Sequence, residues 1–250
     1  MNKISVIIIT KDESQNIKDC LESVKWADEI IVVDSGSKDD TVEIAKKYTD
    51  NVIFNEWKGY ADQKNYALQM AKNEWVLSLD ADERITESLE KEILNSYLDQ
   101  FDGYRIKRDN YFLGKIIKGC GWGNDYQLRL FRKSKTTLTN RLVHEGFSVE
   151  GKISNLKNSM LHYSYRNFKD AFEKINYYST LEAIEKQNRK KVNAFTIVIT
   201  PILAFLQHFI IRKGFIDGIY GLFVSILNAY TKLQVQLKIW ELNNKSSNLK

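Results

Sequence analysis

A chain of 250 residues with 43% hydrophobic and 28% charged residues is long enough for a sizeable core and too apolar to be disordered, outside the Asn/Ser/Lys-rich tail 243–250. Its length predicts one large domain with an appendage and excludes a small stapled module. Two cysteines, Cys20 and Cys120, give neither a metal-type spacing nor a disulfide framework, so the expected compartment is reducing, with cytoplasm the default. The net charge of +5 admits a nucleic acid or an anionic membrane face as partner, and its excess lies late, in "EKQNRKK" and at Arg212 and Lys213.

"MNKISVIIIT" opens with a basic residue and a short apolar run that stops at Thr10 without a small-residue cleavage site, so a first strand is expected there rather than a signal peptide. "ISVIII", "EIIVVD", "NVIF" and "WVLSLD" are nearly continuous apolar, largely β-branched runs, the pattern of parallel strands covered on both faces. Between them "SQNIKDCLESV", "KDDTVEIAKKY" and "YADQKNYALQMA" carry apolar residues three and four apart and read as amphipathic helices, with Ser14 and either Ser37 or Asp39 as caps. Alternation of this kind predicts a doubly wound, mostly parallel α/β sheet. A further helix is expected over 87–98. Antiparallel additions are expected over 103–134 and in "RLVHEGFSVEGKI", where apolar and polar residues alternate between glycine-rich turns. From Asn167 onward the chain reads as helical.

Ligands of such sheets bind beyond the carboxyl ends of the strands. Those ends are "TKDE" at residues 10–13, "DSGSKDD" at 34–40 and "DADE" at 80–83, so three polar, acidic ends converge on one rim. Asp80 and Asp82, separated by one residue, suit an oxygen-loving cation such as Mg²⁺ or Mn²⁺ that takes phosphate oxygens as further ligands; the bland alternative is a solvated acidic loop. Asp34 suits a base or ribose, or merely turns the chain and caps the next helix.

"SVIIITKDESQNIKDCLESV", "EIIVVDSGSKDDT", "ADQKNYAL" and "WVLSLDADE", in this order, resemble family 2 glycosyltransferases of the GT-A fold. Within that family the resemblance is to the small bacterial enzymes that build the lipopolysaccharide core, including the inner-core β-1,4-glucosyltransferase type. "QLRLFR", "RLVHEGF" and His162-Tyr163 also fit this subgroup. The resemblance implies a nucleotide-sugar donor, usually UDP-linked, a divalent cation and inversion at the anomeric carbon. Carried onto this chain, it sets Thr10 and Glu13 near the uridine, Asp34 near the uracil, Lys64 near the diphosphate or base, and Asp80 and Asp82 at the ribose and metal, with Asp82 the favoured ligand.

Such a reaction needs a general base for the acceptor hydroxyl. Many relatives use a carboxylate of an "ED" pair; here the matching stretch reads Val143-His144-Glu145, with Glu145 favoured as base and His144 as a metal ligand or orienting group, or the reverse. Arg129 suits the donor diphosphate or an anionic acceptor. His162 is either a satisfied core histidine or a metal ligand. The Q-x-x-R-W pattern of processive synthases does not occur, so addition of a single sugar is expected.

Ala194 to Ile211 is apolar for the length of a minimal span, yet Thr196, Thr200, Pro201, Gln207 and His208 interrupt it. Flanked by basic pairs, it reads as a monotopic helical segment on the cytoplasmic leaflet; the alternative is a helix packed on the sheet or at a dimer interface. The expectation is therefore a GT-A catalytic domain over 1–165, a helical membrane-associating region over 166–242 and a disordered tail. The expected activity moves a hexose, glucose, to a lipid-linked oligosaccharide at the inner face of the cell membrane, with no role for nucleic acid. The rivals are a sugar nucleotidyltransferase, whose glycine-rich basic loop "TKDESQN" lacks, and a noncatalytic nucleotide-sugar-binding module.

Overall fold

The computed structural model describes residues 2–95, 98–138 and 146–245. In chain order the elements are β1 (Ile4–Thr10), α1 (Ile17–Glu22), β2 (Glu29–Asp34), α2 (Thr41–Ala45), β3 (Val52–Phe54), α3 (Tyr60–Met70), β4 (Trp75–Asp80), β5 (Glu83–Ile85), α4 (Glu87–Asn95), β6 (Gly103–Phe112), β7 (Lys115–Ile116), β8 (Asp125–Arg132), β9 (Thr136–Leu138), β10 (Phe147–Val149), β11 (Ile153–Tyr165), α5 (Phe168–Lys186), α6 (Ala194–Leu206) and α7 (Ile219–Lys245). A nine-stranded sheet runs β3-β2-β1-β4-β8-β6-β11-β5, with β7 pairing β6. Strands β1 to β4 are parallel, and β8 joins β4 antiparallel, as the change from continuous to alternating apolar pattern predicts. The expected mostly parallel α/β arrangement with antiparallel additions and C-terminal helices is the one observed.

The chain divides into two compact units, Met1–Asp109 with Tyr126–His162, and Asn110–Asp125 with Tyr163–Lys250. In the first unit, alternate residues of one strand serve opposite faces of the sheet. Val6 and Ile8 pack with Ile17, Cys20 and Leu21 of α1 and with Leu89 and Ile93 of α4, while Ile7 and Ile9 pack with Ala67 and Leu68 of α3. This two-sided burial is why the strands read as unbroken apolar runs. Each such side chain contributes about 1.5–3 kcal/mol when fully buried. In the second unit Phe112, Ile117 and Cys120 pack with Ala171 and Ile175 of α5 and Val224 and Leu227 of α7.

The helix starts differ in part from expectation. Ser14 does not cap α1; its N–H is given to Asp39 Oδ2 over 3.0 Å, and α1 starts after Asn16, whose side-chain amide donates to Glu13. Of the two candidates for α2, Asp39 takes the Thr41 N–H and hydroxyl, whereas Ser37 serves the loops. The expected helix over 87–98 is α4, followed by a separate 3₁₀ turn at Leu98–Gln100. "DADE" also holds an unexpected element: Glu83 opens the three-residue strand β5, which pairs with β11 rather than extending a loop.

Candidate active site

Parallel register brings the three strand ends level. Thr10 faces Asp34 across β1 and β2, and Ile9 faces Asp80 across β1 and β4. The loops after β1 and β2 are laced into one rim: Asp12 N–H donates to Ser37 Oγ over 2.8 Å, Lys38 N–H to Asp12 Oδ1 over 2.7 Å, and Glu13 N–H to Thr41 Oγ1 over 2.8 Å. Asp12 takes the left-handed conformation there, with φ 53°. Asp34 is buried and accepts from the N–H groups of Gly36 and Ser37 and from the Ser37 hydroxyl, so it shapes its loop as a turn would require. Gly36 has φ +88°, which explains a glycine at this point in "DSGS". Thr10 Oγ1 is buried and has no hydrogen-bond partner among the described residues, the condition of a group awaiting a ligand atom.

Asp80 lies between cations. Arg129, entering from β8, sets Nη2 2.6 Å from both Asp80 Oδ2 and Glu83 Oε1, and Lys64 of α3 sets Nζ 3.2 Å from Asp80 Oδ1. Lys64 is aimed by its neighbour: buried Gln63 donates to the carbonyls of Asn55 and Glu56, fixing the start of α3. Glu83 is fully buried; its Oε2 accepts the Asp80 N–H over 3.0 Å, and Arg108 lies 3.4 Å from its Oε1. Burial alone would raise the Asp80 pKa, but Arg129 and Lys64 outweigh it and hold the carboxyl well below the usual carboxylate range. Burial opposes the charge on Arg129 as well, and Asp80 and Glu83 more than restore it. Beneath the loop, buried Arg84 donates to the carbonyls of Ala81 and Glu83 and to Asn16 Oδ1, and the Cys20 thiol, its pKa pushed up by burial, points at the Asp80 carbonyl.

Asp82 meets a different partner. His162 pairs in register with Glu83 across β5 and β11, and its Nε2 is 3.7 Å from Asp82 Oδ2. The separation exceeds a hydrogen bond and is wider than the roughly 3.0 Å between adjacent octahedral ligands bound at about 2.1 Å, so the two groups would close on a shared cation by a modest inward shift. No three His, Cys, Asp or Glu side chains form a ligand group among the described residues.

The structure thus gathers Asp80, Lys64 and Arg129 into one ionic cluster, joins Asp82 to His162 beside it, and keeps Thr10, Glu13 and Asp34 on the adjoining rim. His144 and Glu145 lie outside the described residues. Sequence reasoning missed Glu83, Arg108 and Arg84. The only signal for Glu83 was its place three residues after Asp80, and the acidic run hid it.

The profile of glycosyl transferase family 2 matches residues 5–148. A glycosyltransferase of Rickettsia prowazekii is 35% identical over 265 residues, covering 100% of this chain and 90% of its own. The lipopolysaccharide core biosynthesis glycosyltransferase LpsC of Rhizobium meliloti is 31% identical over 244 residues, covering 90% of each chain. Among solved structures, TarS 1-349 of S. aureus aligns at 17% identity with a TM-score of 0.47, over 93% of this chain and 90% of that one. With a profile spanning more than half its length and relatives aligned end to end, the chain belongs to glycosyl transferase family 2.

Proposed function

We propose that this protein moves a hexose, glucose, with inversion from a UDP-linked donor to a lipid-anchored glycan such as the lipopolysaccharide core, on the cytoplasmic side of the membrane. The observation that carries the reading is the pairing of Asp82 with His162 beside an Asp80 already neutralised by Arg129 and Lys64. Two acids of one loop thereby receive different tasks. Asp80 orients the ribose and the loop, and Asp82 with His162 holds Mg²⁺ or Mn²⁺.

A carboxylate oxygen and an imidazole nitrogen this near each other would hold such a cation after a modest inward shift. When bound, it neutralises the diphosphate as charge develops on it. The remaining work is the chain's own. Thr10 Oγ1 and Asp34 offer buried hydrogen-bonding atoms to the nucleoside, and Lys64 and Arg129 add positive charge at the diphosphate end. Glu145, or His144 in its place, removes the acceptor proton. The likeness to LpsC supports a glycan acceptor of the lipopolysaccharide type.

The test incubates the protein with Mn²⁺, a panel of nucleotide sugars and membrane-extracted acceptor, and reads products by mass spectrometry. UDP release and a hexose mass gain on the acceptor from UDP-glucose are expected. Pyrophosphate release from a nucleoside triphosphate and a sugar phosphate would instead support the nucleotidyltransferase.

A further inference from the structure

A stripe of exposed apolar side chains runs through the second unit. Phe195, Val198, Ile202, Leu206 and Ile210 follow each other at spacings of three and four along α6 and the π-helical turn Gln207–Ile211, Ile211 ends that turn, and Phe215, Ile216 and Ile219 are exposed after it. Phe195 is 72% exposed, Val198 62% and Ile211 75%, far from what a soluble surface tolerates in one patch. The opposite side of this segment is covered by its own unit: Ala204 and His208 are buried, and Gln236 of α7 reaches Thr200 over 3.4 Å.

The charges around the stripe are of one sign. Arg189, Lys190 and Lys191 precede it and Arg212 and Lys213 divide it, all exposed. The one acid in residues 186–219 is Asp217, which is buried and accepts the N–H groups of Lys118 and Gly119. We propose that this stripe is a docking surface for an anionic phospholipid bilayer, lying flat in the interface with the apolar residues in the acyl boundary and the five cations on lipid phosphates.

Two alternatives fail on the same observations. A helix of Ala194–Ile211 is long and apolar enough to cross a membrane, but its packing partner α7 carries Lys232 and Lys238, which bond to Glu182 and Asn176 of α5, and a spanning α6 would draw those charges into hydrocarbon. Pairing with a second copy of this chain meets like charge, because a full overlap of two stripes, parallel or antiparallel, sets the basic clusters at 189–191 and 212–213 against one another. The proposal is independent of sugar transfer, since it concerns other residues and another ligand.

The test sediments the full chain with phosphatidylcholine vesicles with and without about 30% phosphatidylglycerol. The variants are Val198→Glu with Ile202→Glu, and a charge-removal variant with Arg189, Lys190, Lys191, Arg212 and Lys213 all changed to Ala. All these residues are exposed, and an unchanged thermal melt certifies folding. Partitioning at least about tenfold stronger onto phosphatidylglycerol is expected, falling to the neutral-lipid level in the charge-removal variant and lost on both vesicles in the glutamate variant. Absence of wild-type binding to the anionic vesicles would overturn the proposal. So would a wild-type dimer that the glutamate variant makes monomeric while lipid binding is unaffected, because the stripe would then belong to a second copy.

Discussion

Arg129 on the antiparallel strand β8 donates to Asp80 at the end of the parallel strand β4 over 2.6 Å, joining the two kinds of strand at the point where the donor is proposed to bind. Removing the arginine strands two carboxylates, Asp80 and the fully buried Glu83, without their shared cation. Arg129→Met is therefore expected to lose about 3–5 kcal/mol of stability in urea unfolding, the cost of breaking a buried pair from one side. Arg129→Lys restores the charge but cannot serve both carboxylates from one fork, and should recover only part of the loss.

Glu83 touches Arg129, Arg108 and the backbone of Asp80, so it positions the acidic loop without reaching the donor itself. Glu83→Gln keeps its shape and removes its charge. A fall of about 10- to 100-fold in transfer rate is expected, of the size seen when groups supporting a ligand are altered. The separating readout is Mn²⁺ affinity by calorimetry, which should weaken with the loop even for protein that remains folded.

Strands β1 to β4 and the rim of Thr10, Asp34 and Asp80 were legible in the sequence because burial on both faces leaves a run that chance rarely produces. Strand β5 was not, because "ERI" is three residues long and its pairing with β11 is set by contacts more than seventy residues away in the chain. Glu83 looked like its acidic neighbours for the same reason: its burial is decided by Arg108 and Arg129, which sequence spacing cannot bring to it. The caps show the limit at short range. Ser14 has the right chemistry for a cap, but Asp39 from the next loop takes its N–H, and a local rule does not see that loop.

Asp39 and Asp80 are carboxylates whose charged form the fold favours. Burial opposes it, but hydrogen bonds from Thr41 and Ser14 lower the Asp39 pKa to about 2, and Arg129 and Lys64 hold Asp80 well below the usual carboxylate range. Groups depressed in the folded state stabilise it fully above their unfolded pKa of about 4, and that stabilisation is lost as the pH falls toward the folded value. The urea midpoint gap between wild type and Asp39→Ala should be constant from about pH 5 to 8 and should shrink below about pH 4. At neutral pH the variant should lose about 1 kcal/mol, the worth of the helix-start hydrogen bond.

His162→Ala and Asp82→Asn remove the two groups assigned to the cation. Each is expected to weaken Mn²⁺ binding at least about tenfold by calorimetry while leaving the melting temperature near wild type, because neither residue belongs to the buried Arg129 cluster. A tight Mn²⁺ site surviving in both variants would move the cation elsewhere.

This family 2 chain is proposed to draw a hexose from UDP-glucose through the loop that carries Asp80 and Asp82. That proposal is tested most directly by UDP release from UDP-glucose with Mn²⁺ and membrane-extracted acceptor, comparing wild type with Asp82→Asn. Turnover by wild type and a loss of at least about a hundredfold in the variant are expected. Equal turnover by the two proteins, or none by wild type with any UDP-sugar, would contradict it.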